Sequence, residues 1–200
     1  LYIDGPCLVL AGAGSGKTSV ITRKIAYLIE QCDIPARHIA ALTFTNKAAR
    51  EMKERASKLV KGSASRGLTV STFHNLGLNI IRREHKSLGF KPGFSIFDSE
   101  DARSLLKDLM MKDGDLDSDH LDLVQHQISN WKNDLVIPAR ALSMAQSPGE
   151  QAIALIYQRY NQALRAYNAV DFDDLILIPV ELFQTNPEVL QRWQRKIRYL

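Results

Sequence analysis

The sequence predicts an α/β fold in which a parallel sheet is combined with an inserted, all-helical part. Three observations lead to this prediction. Apolar runs alternate with helical patterns over residues 1–90, a glycine-rich loop joins the first run to the first helix, and residues after 98 show helical patterns without a clear strand. Alternation of this kind is typical of parallel sheets whose strands are joined by crossover helices.

The first part of the chain supplies three predicted strands, each followed by a predicted helix. The strands are expected at residues 7–10, 39–44 and 68–72, the first of them as a buried strand. The helices are expected at residues 17–31, 46–61 and 74–85. In the second helix, apolar residues recur at helical spacing and charged pairs lie on the opposite side, which indicates one packed face and one solvated face.

The pattern changes near residues 89–93, and the remainder is predicted to be helical. Helices are expected around residues 99–111, 118–133, 148–167, 171–184 and 187–196. Asp, Gly and Pro residues separate these stretches and mark their ends. Residues 197–200 look like the first half of a further strand, and Leu1 is not an initiator methionine, so neither end of the sequence looks natural.

Composition and charge restrict the class of protein. The chain is 45% hydrophobic, which is enough for an ordinary core. Two cysteines, Cys7 and Cys32, are too few for a disulfide framework, and no membrane span or signal sequence is visible, so a soluble protein of the reducing cytoplasm is expected. Residues 1–90 carry 14 basic and 6 acidic side chains, whereas residues 91–169 carry 8 basic and 11 acidic side chains. A basic region of this kind suggests a polyanionic partner such as nucleic acid.

The glycine-rich loop is typical of a site for the phosphates of a nucleoside triphosphate. Its residues are Ala11, Gly12, Ala13, Gly14, Ser15, Gly16, Lys17 and Thr18. Glycines allow backbone N–H groups to surround the phosphates, Lys17 supplies charge at the terminal phosphates, and the Thr18 hydroxyl can bind Mg²⁺. The strict pattern has glycine where this chain has Ala11, but the Gly-Lys-Thr triplet is intact. The sequence therefore predicts binding of a nucleoside triphosphate with Mg²⁺, and Lys17 and Thr18 are the candidate catalytic residues.

Two predicted strands end in similar groups of residues that suit single-stranded nucleic acid. The residues are Phe44, Thr45 and Asn46 after the second strand, and Thr72, Phe73 and His74 at the end of the third. Open α/β sheets bind ligands at the carboxyl ends of their strands. Hydroxyl and amide groups can contact phosphates there while aromatic rings stack on bases. Either phenylalanine alone would more often be a core residue, but the repeated placement favours binding.

Several other patterns are given structural interpretations. Asn46 and Lys47 begin the guanine-recognition signature Asn-Lys-x-Asp, but Ala49 replaces its aspartate, which argues against a GTPase. Asp171 is predicted to cap a helix rather than to hold Mg²⁺, because too short an apolar run precedes it. Trp131 falls on an apolar helical stripe and is predicted to pack in a core. The histidines share no spacing typical of a metal site.

These segments together resemble the superfamily 1 DNA helicases of the UvrD, PcrA and Rep group. The resemblance rests on the glycine-rich loop and on four further segments, at residues 43–52, 71–74, 128–133 and 171–176. It covers essentially the whole chain in order. It implies a RecA-like sheet domain and an ATP-driven motor that moves 3′ to 5′ along single-stranded DNA and unwinds duplex DNA at single-strand/duplex junctions.

The resemblance also implies a domain organisation. Residues 1–90 would form the first RecA-like domain, residues 91–169 an inserted helical subdomain next to duplex DNA, and residues 170–200 the return to the RecA-like domain. The family's Asp-Glu motif for Mg²⁺ would follow Leu200, and its glutamine motif would precede Leu1. The second RecA-like domain with its arginines would lie elsewhere, so the 200-residue chain alone is expected to hydrolyse ATP poorly.

Two other function classes stay open on the sequence. The chain could be a binding module that holds nucleotide weakly and DNA through charge, in which case DNA binding should weaken steeply with salt. It could also be a small phosphotransferase with a helical lid, although the sequence shows no site for an acceptor.

Overall fold

The structure is a computed structural model that describes residues 5–113 and 118–200, and the chain divides into two compact units. Unit 1 comprises residues 1–73 and 187–200, and unit 2 comprises residues 74–186. Residues 1–4 of the predicted first domain lie outside the described ranges. No helix among the described residues is both long enough and apolar enough to cross a membrane.

Unit 1 combines a small parallel sheet with helices. Its elements are α1 (Lys17–Glu30), a 3-10 turn (Ala36–His38), β1 (Ala40–Thr43), α2 (Asn46–Leu59), β2 (Thr69–Thr72) and, late in the chain, α9 (Pro187–Lys196). β1 and β2 pair in parallel from Ala40 opposite Thr69 to Thr43 opposite Thr72. The predicted final strand is present as a single parallel bridge between Tyr199 and Ile39. The predicted α/β class with a parallel sheet is therefore confirmed at this level.

The predicted buried strand at residues 7–10 is wrong. These residues have no strand assignment and are exposed, with Leu8 at 85% and Leu10 at 87% exposure. The apolar run shows that the segment favours burial, but a strand also needs a neighbour that pairs with its N–H and C=O groups. Within the described residues no strand pairs with this segment.

The core of unit 1 forms between the sheet and the inner faces of its first two helices. Apolar side chains at helical spacing face inward from α1 and α2 and meet residues of the strands and of the connecting segments. The buried members include Ile25, Leu28, Ile39, Ala41, Met52, Ala56, Val60 and Leu68. α2 begins where Thr45, its N-cap, accepts a hydrogen bond from the Ala48 N–H at 3.1 Å. Satisfying a free N–H in this way is what sets the start of the helix.

Unit 2 is mainly helical. Its elements are α3 (Phe73–Glu84, which begins at the last residue of the first stretch of unit 1), β3 (Ser95–Ile96), α4 (Ser99–Asp113), a 3-10 turn (Ser118–His120), α5 (Leu121–Asn133), α6 (Pro138–Met144), α7 (Pro148–Ala166), β4 (Ala169–Val170) and α8 (Asp174–Thr185). The expectation of no strand after residue 98 is wrong, because β4 pairs in parallel with β3. A buried strand of two residues is too short to give a periodic signal.

Helix ends in unit 2 follow local sequence signals. Pro138 opens α6, which the sequence analysis missed because the helix has only seven residues. At α7, the Ser147 hydroxyl accepts from the Glu150 N–H at 3.2 Å while the Glu150 carboxylate accepts from the Gln146 N–H at 2.7 Å. Exchange of this kind satisfies two N–H groups at once and fixes the helix start.

One close helix contact in unit 2 requires a glycine. A Cβ added to Gly77 of α3 would lie 1.7 Å from the carbonyl oxygen of Leu175 in α8. Pro179 has no N–H, so the Leu175 carbonyl does not receive the usual helical hydrogen bond from the residue four positions on. The backbones of α3 and α8 can approach because no side chain stands between them.

Two cores stabilise unit 2. The larger lies among α4, α5 and α7, and includes Leu106, Met110, Val124, Ile128, Tyr157, Tyr160 and Leu164. The smaller joins Ile81 and Phe90 to Val170, Leu175 and Ile178. Trp131 is half-buried against the larger core and stacks on Tyr157 with ring centroids 5.8 Å apart. The prediction that Trp131 packs in a core is confirmed.

Candidate functional site

The glycine-rich loop of unit 1 has a conformation that depends on its glycines. Gly14 and Gly16 have φ values of 75° and 84°, in the left-handed region that favours glycine. The Gly12 carbonyl oxygen accepts from two groups of Ser15, the hydroxyl at 2.7 Å and the N–H at 3.4 Å. A Cβ at Gly12, Gly14 or Gly16 would meet no atom within 4 Å. The glycines therefore leave open space beside the loop.

Lys17 and Thr18 lie where the loop becomes α1. The Lys17 ammonium donates to the carbonyl oxygens of Ala11 at 2.9 Å and Gly12 at 2.6 Å, so it lies over the loop. Gly16 is the N-cap of α1 and provides no side-chain acceptor for the first N–H groups of the helix. Thr18 is half-buried in the first turn. A helix start with this composition has donors and positive potential on the side of the loop.

The ends of β1 and β2 bring two aromatic rings together. Phe44 follows Thr43 and Phe73 follows Thr72, and those two threonines are opposite each other in the sheet. The ring centroids of Phe44 and Phe73 are 5.7 Å apart with 40° between the planes. Phe44 is 89% exposed and Phe73 is 44% exposed. Neither phenylalanine is a core residue, so the pair is an exposed apolar surface at the carboxyl edge of the sheet.

The polar residues of the same group have different surroundings. Thr45 caps α2 with its hydroxyl oxygen, and Asn46 is exposed at the first position of that helix. Thr72 is buried, with 6% exposure. The structure therefore brings Phe44, Phe73 and Asn46 to the surface of unit 1, while the Thr72 side chain lies inside it.

His74 lies in unit 2 and forms a second aromatic pair. Its ring stacks on Phe172 with centroids 4.1 Å apart and 25° between the planes. Phe172 is 56% exposed. The sequence analysis did not select Phe172, because the surrounding aspartates suggested only a helix cap. An aromatic residue between charged residues, where burial is not expected, is the signal that could have identified it.

The aspartates around Phe172 enclose a buried lysine. The Lys132 ammonium donates to Asp171 Oδ2 at 2.6 Å and to Asp174 Oδ1 at 2.8 Å, and the Tyr160 hydroxyl donates to Asp171 Oδ2 at 2.9 Å. The prediction that Asp171 caps the helix is wrong in its position, because the N-cap of α8 is Asp173. The Asp171 side chain still contacts the helix start, since its Oδ1 accepts from the N–H of Asp174, the first residue of α8, at 2.9 Å. The helix itself begins three residues later than predicted.

Burial and charge shift the pKa values in this group. Burial lowers the pKa of Lys132, but the charges of Asp174 and Asp171 outweigh that effect and leave it raised. Burial raises the pKa of Asp174 to about 6 although Lys132 opposes the shift. Burial, and then the Asp171 charge, raise the pKa of Tyr160. One ammonium faces two carboxylates, so the group tends to hold an additional proton.

Lys132 is the second residue of this region that the sequence analysis missed. It occupies the apolar stripe of α5, four residues after Ile128, and its side chain is fully buried. A lysine at a core position predicts a buried acidic partner, and two aspartates three residues apart are suitable candidates.

Within the described residues no group of three or more His, Cys, Asp and Glu side chains could hold a metal ion.

Comparison with known proteins agrees with the resemblance. All 200 residues match the family described as the UvrD/REP helicase N-terminal domain. The chain is 55% identical over its whole length to an ATP-dependent DNA helicase Rep of Escherichia coli, and 43% identical over 98% of its length to an ATP-dependent DNA helicase PcrA of Staphylococcus aureus. It spans 30% and 27% of the lengths of these relatives. The chain therefore belongs to the UvrD/REP helicase N-terminal domain family.

Proposed function

We propose that this chain supplies the ATP-binding and single-stranded DNA-binding front portion of an ATP-dependent DNA helicase that moves 3′ to 5′ and acts at single-strand/duplex junctions. The observation that carries the proposal is the exposed Phe44–Phe73 pair at the carboxyl edge of the same sheet domain that has the glycine-rich loop. The names of the relatives, ATP-dependent DNA helicases Rep and PcrA, support it.

In the proposed ATP site, backbone N–H groups of residues 11–18 bind the phosphates. Lys17 exchanges its two carbonyl partners for phosphate oxygens, which is favourable because a charge-assisted hydrogen bond is stronger than one to a neutral carbonyl. The Thr18 hydroxyl binds Mg²⁺, whose charge offsets that of the triphosphate. The left-handed Gly14 and Gly16 keep the backbone close enough for these contacts.

In the proposed DNA site, Phe44 and Phe73 stack on bases, and Thr45 and Asn46 contact the backbone of the strand. In unit 2, His74 and Phe172 provide a second stacked pair of the same chemistry. The Thr72 side chain is buried, so in this proposal Thr72 makes no direct side-chain contact with DNA. It places the following residue, Phe73, at the end of β2. Stacking on exposed rings does not depend on base identity, as expected for a protein that moves along DNA of any sequence.

The proposed domain organisation is that of the resemblance. Residues 1–90 and 170–200 form a RecA-like sheet domain, and residues 91–169 form an inserted helical subdomain. The compact units divide the chain after residues 73 and 186 instead, and α3 and α8 both lie in unit 2, where they approach at Gly77. Both divisions join an early and a late segment of the chain around a helical middle, which supports an insertion.

Substitutions in the full-length protein test the two sites separately. Lys17→Ala should abolish ATP binding and leave binding of a short oligothymidylate intact. Phe44→Ala should weaken oligothymidylate binding by about 1 to 3 kcal/mol and leave ATP binding intact. The control is Lys58→Ala, which removes an exposed lysine from the last turn of α2. Full ATP binding by Lys17→Ala, or unchanged DNA binding by Phe44→Ala, would contradict the proposal.

The 200-residue chain alone should bind nucleotide without efficient turnover. The acidic pair and the arginines that the resemblance implies for hydrolysis are not among its residues, and each group that stabilises the transition state contributes roughly 10²-fold or more. Steady-state hydrolysis that Lys17→Ala abolishes would show that this expectation is wrong.

A further inference from the structure

Lys132 connects two distant parts of unit 2. It comes from α5, and its ammonium lies between Asp171 and Asp174, 39 and 42 residues further along the chain. The side chain of Lys132 has no exposed area, and its ammonium lies 5.2 Å from the centre of the Tyr160 ring. A buried ammonium with two carboxylate partners holds both partners firmly, because losing either would leave a charge unpaired in the interior.

The two aspartates are also bound to each other through the backbone. Asp171 Oδ1 accepts from the Asp174 N–H at 2.9 Å, and Asp174 Oδ2 accepts from the Asp171 N–H at 3.2 Å. Together with the Lys132 and Tyr160 contacts, these bonds engage all four carboxylate oxygens. The turn from Asp171 to Asp174 is therefore fixed at both of its ends.

Phe172 lies inside this fixed turn and is exposed. Its ring is held outside the core and stacks on His74 at 4.1 Å. A cluster needed for core stability alone could be replaced by apolar residues of similar size, often without loss of stability. A cluster that also orients an exposed ring could not be replaced in this way, because the hydrogen bonds specify the direction of the turn.

We propose that Lys132 is a positioning residue for single-stranded DNA binding. The clamp that it forms with Asp171 and Asp174 holds Phe172 against His74, so that the stacked pair presents a preformed surface to a nucleobase. Lys132 itself touches no DNA. This inference rests on the proposed function and deepens it, since preformed surfaces avoid the loss of side-chain entropy on binding.

The test measures binding of a fluorescent oligothymidylate to the full-length protein and three variants. The clamp variant is Lys132→Met with Asp174→Asn, which removes the clamp and keeps the net charge of the cluster. The ring variant is Phe172→Ala, and the third variant combines all three substitutions. The matched control is Lys107→Met with Asp108→Asn, the same pair of changes at exposed positions of α4.

The ring variant should bind about 5- to 150-fold more weakly, the loss expected for one stacked base. The clamp variant should lose a similar factor, and the combined variant should lose no more than either, because both changes remove the same contact. The salt dependence of binding should keep its slope in the clamp variant, since no phosphate contact is lost. The control should bind like the parent.

A folded clamp variant that binds like the parent would overturn the proposal, and so would losses that multiply in the combined variant. If the clamp variant lacks the thermal transition of the parent, Tyr160→Phe replaces it, since that change removes only the hydrogen bond to Asp171. An unchanged affinity in that variant would equally overturn the proposal. If Phe172→Ala has no effect, the positioning role fails, whereas the proposed function fails only if Lys17 and Phe44 are also dispensable.

Discussion

Two turns in this molecule place a lysine ammonium beside a helix start, one in each unit. In the glycine-rich loop, Lys17 is exposed and contacts two neutral carbonyl oxygens. In unit 2, Lys132 is buried and contacts two carboxylates. A charge held by neutral groups in water can change partners at little cost, whereas a charge held by buried carboxylates cannot. The first arrangement suits ligand binding, and the second suits a fixed scaffold.

The comparison predicts that equal changes at the two lysines have different effects on stability. Lys132→Met should lower the free energy of unfolding by about 3 to 5 kcal/mol, because two buried carboxylates lose their counter-charge. Lys17→Met should change it by less than about 0.5 kcal/mol, since the side chain is exposed. Thermal and denaturant unfolding of the full-length protein would measure both. Equal losses at the two positions would mean that the loop lysine is also structural.

The pH dependence of stability should show the additional proton in the Lys132 cluster. The pKa of Asp174 is about 6 in the folded protein and 3.8 in a model compound. The unfolded chain releases this proton first as the pH rises, so the Asp174 contribution to the unfolding free energy should fall between about pH 4 and pH 6. The expected fall is about 3 kcal/mol.

Asp174→Asn isolates this contribution from that of other carboxylates. The difference in unfolding free energy between the parent and this variant should change over pH 4 to 6 and be constant above that range. A difference that does not vary with pH would mean that Asp174 ionises normally, and that the cluster holds no additional proton.

The glycines of the two units also differ in their roles. Gly14 and Gly16 in unit 1 adopt a left-handed backbone conformation, whereas Gly77 in unit 2 leaves room for the close contact between α3 and α8. Gly77→Ala should destabilise the protein by about 1 to 3 kcal/mol, since the new Cβ would overlap the Leu175 carbonyl and force α3 and α8 apart. The matched control is Gly149→Ala, near the start of α7, where a Cβ meets no atom within 4 Å. It should be neutral or slightly stabilising. Equal effects at both positions would contradict the close contact.

The sequence predicts well those features that depend on neighbouring residues. The helices after the loop and after Phe44 begin within one residue of their predicted positions, because glycine and threonine set their first turns. Features that depend on distant partners are not predictable in this way. The segment at residues 7–10 has the composition of a strand without a pairing neighbour, and Lys132 finds its partners 39 and 42 residues away.

The same distinction between local and long-range contacts explains which residues of the candidate sites were predicted. The exposure of Phe44 and Phe73 was foreseen from their repeated position after a strand, which is a local pattern. Phe172 was missed because its exposure results from the contacts of the residues on either side of it, and these involve α5 and α7. A single sequence does not record which helices meet.

The close contact between α3 and α8 at Gly77 affects which substitutions the neighbouring His74–Phe172 pair can accept. Gly77 lies one turn after His74 in α3, and Leu175 follows Phe172 by three positions, so one ring lies in the first turn of α3 and the other just before α8, close to where the two main chains approach. The main-chain contact at Gly77 therefore adds to the clamp in fixing the two segments that carry the rings. An aromatic replacement at His74 or Phe172 would leave this main-chain contact unchanged, so affinity for bases could be altered at these two positions without changing how α3 and α8 approach each other.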